Sequence, residues 1–413
     1  MWDKRIWKLE IDVIWMTVAT AFVVLMVPAL GIFYAGLVRK KNVLSTFLQC
    51  LAVSAVVALV WALFGYSLVF GNSIGGFIGD LSRVGLSTAG SASYDAYAPK
   101  IPEVLFIAFQ ATVAGITPAL ILGAVVERAK LKTVLAFSVL WSILIYSPIA
   151  HWVFNEGGWL RTLGAVDFAG GYAVHMAAGL SAIAAALVVG PRIKSRNGES
   201  GKPSSIPYVM LGAGLLWFGW FGFNAGSTLE ANNVVASTIT ATTLAAAAAA
   251  MSWVLIDYLV RKKPSAVGFS VAAVCGLVAI TPGAGFVTPL AAIIIGLVSG
   301  VISNLAATWR SKTSIDDSLD VFACHGVNGT LGLIATGLFA TLAINPLGAN
   351  GLFYGNPGLV VSELIGIIAV AAYSFIGSFA ILRALGLVSK LRVTPKEEEE
   401  GLDVAELGES LNE

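Results

Sequence analysis

Charge is what this chain has least of. Asp, Glu, Lys and Arg together make up 12% of its 413 residues, against 57% hydrophobic residues, where a soluble domain carries roughly 25% charge. That shortage excludes an ordinary soluble fold, and a mean hydropathy of +0.84 leaves a polytopic, all-α integral membrane protein. The net charge of +1 offers no basic surface for a nucleic acid. Cysteine is scarce as well: Cys50, Cys275 and Cys324 all fall within apolar stretches and without metal-ligand spacing, which argues against a disulfide framework. Cys324 adjoins His325, but neighbours on a helix point about 100° apart, so no metal and no cofactor is expected there.

Histidine is rarer than its chemistry would suggest, with three in the whole chain, and two of them repeat one pattern. Asp167-Phe-Ala-Gly-Gly-Tyr-Ala-Val-His175 and Asp317-Ser-Leu-Asp-Val-Phe-Ala-Cys-His325 both place histidine eight residues after aspartate, and Gly179 and Gly329 follow four residues later. An ionisable side chain in a spanning helix is costly unless it faces a cavity or a partner. Two in a matching frame predict a duplicated half-protein with a paired site between the halves.

A spanning helix needs about 20 apolar residues, and breaking the chain at its charges gives eleven segments: 13–37, 43–70, 104–126, 133–153, 168–190, 206–226, 234–260, 267–281, 287–308, 321–343 and 358–386. Between the second and third lies a loop rich in Gly, Ser and Ala. The first segment is too long for the apolar region of a cleavable signal, and none is expected. Placing Arg39, Lys40 and Lys41 in the cytoplasm and alternating from there puts all but Lys4, Arg5, Lys8, Arg83, Lys100 and Arg161 of the 25 basic residues on that side. By the positive-inside rule the N-terminus is outside and the C-terminus inside. Helix five then runs inward with His175 and helix ten outward with His325, an inverted 5+5 repeat (13–190 and 206–343) plus one extra helix, with a site near the midplane. Residues 1–390 form the transmembrane domain and 391–413 a charged cytoplasmic tail. Each histidine lies roughly 12 Å along its helix from its aspartate, so the two can meet at one depth.

Two neutral imidazoles can share one ring proton and leave one free donor and one free acceptor along a pore. That suits passage of a small polar solute or relay of a proton. Asp167 reads as a helix N-cap that can also aid cation capture, and Asp316, Asp317 and Asp320 as cap and loop chemistry. His151 reads as a helix-end hydrogen-bonding residue, Ala245–Ala250 as a close-packing surface, and Pro28 as a tolerated proline in a span.

At these residues the chain resembles the Amt/MEP/Rh family of ammonium transporters, on the Amt side. The stretches that carry the resemblance are Asp167 to His175, Phe33-Tyr-Ala-Gly-Leu-Val-Arg39, Glu127-Arg-Ala-Lys130, Trp217-Phe-Gly-Trp-Phe-Gly-Phe-Asn-Ala-Gly-Ser227, Asp316-Asp-Ser-Leu-Asp-Val-Phe322 and the tail from Leu391 to Val404. It covers essentially the whole chain. It implies a non-enzymatic pathway for ammonium, ammonia or methylammonium through the cell membrane bilayer, in a homotrimer with one pore per subunit. It also implies a cytoplasmic PII-type regulatory partner; the tail fits that role, although the histidine common before Gly408-Glu409 is missing. His175 and His325 would be the twin histidines of the pore, with Trp220 on its wall and Asp167 as the family's aspartate.

The outer recruitment site of the family maps onto Phe109 and Ser227, but its tryptophan falls on Phe154, or on Trp152 if the alignment slips locally. Of the two phenylalanines that gate the pore, Phe223 matches the inner, and the outer falls on Val113. A phenyl ring holds a cation less well than an indole, so weak external affinity and a looser gate are expected. Two other readings are weighed: an ammonium sensor on the same scaffold with reduced or no flux, for which little chain remains to form an output domain, and axial ligation of a haem by the two histidines, which would leave the aromatic vestibule without purpose.

Overall fold

Apolar segments of this length must satisfy their backbone polar groups internally, because a bilayer core offers no water to do so. The computed structural model, which describes residues 4–90, 92–94, 97–193 and 201–411, is accordingly built mainly of helices. Lys194 and Arg196, which entered the charge bias, lie outside the described residues, as do Asn412 and Glu413. Among the described residues, ten helices are long and apolar enough to cross a membrane: α1 (Glu10–Leu37), α2 (Lys40–Phe70), α3 (Glu103–Ala124), α4 (Leu131–Thr162, interrupted at 155–158), α5 (Gly171–Val189), α6 (Ile206–Thr228), α7 (Asn233–Arg261), α9 (Pro289–Ser311), α10 (Phe322–Phe339) and α11 (Pro357–Val388). The eighth segment forms a shorter apolar helix, α8 (Ala266–Ile280). A last short helix, α12 (Pro395–Glu400), lies in the tail.

Helix ends follow local chemistry. Ser205, Asn232, Ser265, Thr288 and Asn356 each accept a backbone N–H at the start of α6, α7, α8, α9 and α11, filling donors a helix N-terminus leaves open. Pro28 is accommodated within a continuous α1. The polar loop after α2 folds into two small antiparallel hairpins.

Packing is densest where residues are small. Gly276 and Gly296 press on Ala245, and Gly300 on Ala249, so the alanine run of α7 lets α8 and α9 approach closely. α1 lies against α6, α2 against α3, α7 against α8, and α11 against α5 and α10. α5 and α10 cross at glycines: a side chain on Gly179 would collide with the backbone of Gly326, and a methyl on Gly329 would sit 3.1 Å from His175 Cβ. The glycine four residues after each histidine is therefore a packing requirement of the crossing.

Both histidines sit in a widened π-helical turn, Gly171–Met176 in α5 and Phe322–Val327 in α10, and Phe223 in another, Phe221–Ala225 of α6. Such turns are rare and concentrate at functional sites. Nothing in the apolar pattern announces them.

Candidate functional site

The aspartates open both histidine-bearing turns. Asp167 accepts the N–H groups of Gly170 (2.8 Å), Gly171 (2.7 Å) and Tyr172 (2.8 Å). Asp317, fully buried, accepts those of Val321 (3.0 Å) and Phe322 (2.7 Å). A carboxylate at a helix N-terminus answers both its open donors and its dipole. Each cap fixes the direction in which the following turn carries its imidazole.

The two rings meet at the crossing. His175 Nδ1 and His325 Nδ1 are 3.3 Å apart, the ring planes differ by 20°, and both residues are buried. The Trp220 indole stacks at 5.5 Å on His175, and its Nε1–H donates to Thr281 Oγ1 (2.9 Å) at the end of α8. Among buried polar atoms, His175 Nε2 has no hydrogen-bond partner; it belongs to a residue on the wall of a small cavity.

That cavity has a volume of about 20 Å³ and an otherwise apolar wall that includes Phe33, Ile116, Leu120, Val274 and Phe223. Its size admits about one water-sized molecule. A vestibule of about 520 Å³ opens at one end of the bundle, lined by Phe109, Val113, Phe154, Asp167 and Ser227 among others. A third cavity of about 290 Å³ shares Val271 and Cys324 with the central one and reaches Asp320, Arg310 and Arg261 at the other end. Of these three cavities the central one, which holds the histidines, is the smallest, and a wider one lies toward each end of the bundle.

The candidate residues read from sequence fall on the walls of two of these cavities. Phe109, Phe154, Ser227 and Asp167 share the vestibule wall, and His175, His325, Trp220 and Phe223 share the central cavity. Val113 lines the vestibule and Phe223 the central cavity, so the two proposed gate residues belong to different cavities. Ser227 donates its hydroxyl proton to Phe223 O (2.9 Å), leaving its oxygen lone pairs for a donor in the vestibule. Trp152 is engaged elsewhere: its Nε1–H donates to Phe77 O (2.8 Å) and its ring packs on Phe77, Trp159 and Tyr373. His151 is held between Val69 O and Ser73 Oγ, each at 2.8 Å, which is the helix-end role expected of it.

Sequence reasoning missed several residues. Arg161 lies on the vestibule wall and donates to Phe154 O (2.9 Å), fixing that ring's backbone while adding a positive charge at the entrance. Glu363 of α11 accepts from Val166 N–H and contacts the Tyr172 hydroxyl. At the opposite end, Glu127 pairs with Arg39 and Arg192, and Arg192 also with Asp316, each at 2.8 Å. Burial by itself would push the Glu127 carboxyl up, but Arg192 and Arg39 outweigh it and hold it below the ordinary carboxylate range. Asp316 is held low in the same way, Arg192 and Arg128 overcoming its burial. Spacing cannot reveal pairs 65 to 124 residues apart in sequence.

The tail is strapped over that end. Asp403 accepts Leu44 and Ser45 N–H, Glu406 accepts Leu131 N–H, and Glu398 accepts Ile193 N–H. The backbone of Leu391 and Val393 pairs with Lys130 and Arg128.

Comparison with known proteins decides what this arrangement belongs to. Residues 14–411 match the Ammonium Transporter Family. The chain belongs to that family. This transporter is 45% identical over 401 residues to the ammonium transporter of Bacillus subtilis, covering 96% of this chain and 97% of that one. It is 42% identical over 395 residues to the ammonium transporter Amt1 of Archaeoglobus fulgidus, covering 96% and 97%. Among solved structures it resembles Saccharomyces cerevisiae Mep2, with a TM-score of 0.88, 37% identity and coverage of 94% and 90%. A sensor Amt protein matches with a TM-score of 0.88, 32% identity and coverage of 97% and 98%.

Proposed function

We propose that this family member moves ammonium across the cell membrane by taking the cation into the Phe109–Phe154–Ser227 vestibule and passing ammonia through the cavity beside His175 and His325. The observation that carries the proposal is the small central cavity that holds the paired imidazoles, with a wider one toward each end of the bundle. Aromatic faces and a hydroxyl oxygen suit NH4+ at the vestibule, while an apolar cavity of one-molecule size disfavours a bare charge. The ring pair supplies one donor and one acceptor to a neutral solute and can relay the proton left behind. Asp167 supports the entrance through the cap that orients the first imidazole.

The architecture that accompanies this reading has eleven spans, with α8 as the short one, the N-terminus outside and the C-terminus inside. Helices α1–α5 and α6–α10 form an inverted repeat with α11 added, residues 1–390 being the transmembrane domain and 391–413 the tail. Matching contacts of α2 with α3 and of α7 with α8 support the repeat. Three copies form a homotrimer, and a PII-type protein docks on the face that bears the tail.

Reconstituted protein should take up methylammonium and give a transient current on an ammonium jump. The likeness to a sensor Amt protein supplies the second reading, binding without flux. Saturable ammonium binding with uptake no greater than in empty liposomes would overturn transport in favour of sensing.

A further inference from the structure

Glu363 is a buried carboxyl group that the pathway above does not use. It lies in the second turn of α11, has no exposed surface, and faces the segment that carries the entrance aspartate and the first histidine. Its Oε1 accepts Val166 N–H at 2.9 Å, one residue before Asp167. Its Oε2 lies 2.5 Å from the Tyr172 hydroxyl, at the other end of the Asp167 cap. One carboxyl group from α11 thus grips both sides of the turn that Asp167 holds together from within.

Proton accounting makes the grip specific. The Tyr172 hydroxyl oxygen lies within hydrogen-bond distance of two acceptors, Glu363 Oε2 and the Glu363 carbonyl oxygen at 2.8 Å. A phenol has one proton to donate. Both contacts are satisfied when Glu363 is a neutral acid: its O–H donates to the tyrosine oxygen, and the tyrosine donates its own proton to the carbonyl. An ionised Glu363 would instead be a buried charge beside the Asp167 carboxylate, and among the described residues no ion pair is found to offset it, which is a costly arrangement. Tyr172 and Asp167 are the titratable groups that face it.

We propose that Glu363, as a neutral carboxylic acid, is a positioning residue for ammonium entry: it clamps the Val166–Tyr172 turn from α11 and so sets the orientation of the Asp167 cap and of His175. The proposal rests on the transport reading above. It gives α11, which stands outside the paired helices, a task at the entrance.

The test uses the full chain in proteoliposomes, with wild type, Glu363→Gln and Glu363→Leu compared for half-saturating ammonium in current measurements from pH 5 to 8. Glutamine reproduces both contacts, its carbonyl accepting from Val166 and its amide donating to the tyrosine oxygen, so its half-saturation should stay within about twofold of wild type with the same pH profile. Leucine should raise half-saturation tenfold or more. A shifted pH profile in Glu363→Gln, or a loss equal to that of leucine, would overturn the neutral-acid clamp, as would wild-type behaviour of Glu363→Leu. Infrared spectroscopy gives an independent readout should leucine fail to fold: a protonated-carboxyl band present in the wild type and missing in Glu363→Gln is expected, and its absence from the wild type overturns the proposal. If the wild type itself gives no current, the transport reading fails, and the infrared band still decides this one.

Discussion

His325 Nδ1 and His175 Nδ1 approach to 3.3 Å across the α5–α10 crossing. Two like nitrogens attract only when one carries a proton and the other does not, so each ring fixes the tautomer of the other. Replacing either by leucine leaves a buried ring nitrogen unpaired, at about 1–3 kcal/mol, and removes half of the polar lining. Methylammonium uptake into proteoliposomes should fall at least tenfold in His175→Leu or His325→Leu, with the circular-dichroism spectrum unchanged. Uptake at the wild-type rate in either variant would remove the pair from the pathway.

Phe154 occupies the vestibule wall where an indole would hold a cation better. The gain from phenyl to indole is a fraction of a cation–π contact of about 0.5–2 kcal/mol, so Phe154→Trp should tighten ammonium binding roughly two- to fivefold. Isothermal titration in detergent measures it, and an equal or weaker affinity would show that this ring does not face the bound cation.

Val113 lines the vestibule, and Phe223 lines the central cavity. A phenylalanine in place of Val113 fills space now open to the vestibule. Val113→Phe should slow the shrinkage of proteoliposomes under osmotic shock, if water passes this point, and leave half-saturation for ammonium within about twofold. Overpacking of about 1–3 kcal/mol sets the scale of any accompanying stability loss. Unchanged osmotic shrinkage alongside altered ammonium affinity would place Val113 in the binding site instead of the constriction.

The ion-pair cluster at the tail-bearing end makes stability depend on acidity in one direction. Glu127 and Asp316 have carboxyls held below their ordinary values of 4.5 and 3.8. The stability they contribute is complete above those ordinary values and is lost as pH falls through the lowered ones. The thermal-unfolding midpoint in detergent should therefore be flat, as far as these groups are concerned, from pH 7 to about 5 and drop below about 4. Glu127→Gln should lower the midpoint at pH 7 and flatten the acid drop; an unchanged midpoint would mean that the paired arginines are satisfied without it.

Asp403 reaches from the tail to the first turn of α2, where it accepts two backbone donors. Losing such a cap costs about 1 kcal/mol, which multiplies the open population of the strap by roughly five. Asp403→Ala should then be cleaved by trypsin after the exposed Lys396 about fivefold faster than the wild type when opening is rapid relative to cleavage. Equal cleavage rates would show that the tail is held by its other contacts.

Much of this was legible in the sequence because a bilayer reduces the choices. The apolar runs had to be helices, and ten of the eleven expected spans are long enough by themselves; the eighth is shorter because the chain turns at Thr281-Pro282-Gly283 to pack on Phe168 and Gly171. His175 and His325 were conspicuous because a polar group in such a run needs a reason. Glu363 and the Arg39–Glu127–Arg192–Asp316 cluster were not, since each acts through a partner far away in the chain and carries no local spacing, and Arg161, whose partner Phe154 is near in sequence, was one charge in the connection between two apolar segments with no pattern to mark it. The π-helical turns left no trace either: they alter the helical phase by one residue, and an all-round apolar helix has no phase to read.

Gly179 and Gly326 bring two backbones into contact with no side chain between them. In most buried sites, rotamers absorb small movements of the elements that bear them. Here the main chains are the bearing, beside His325 and one turn from His175, so a slight rotation of α5 on α10 changes the nitrogen–nitrogen gap directly. The pivot of the two helices and the spacing of their reactive rings are one mechanical quantity.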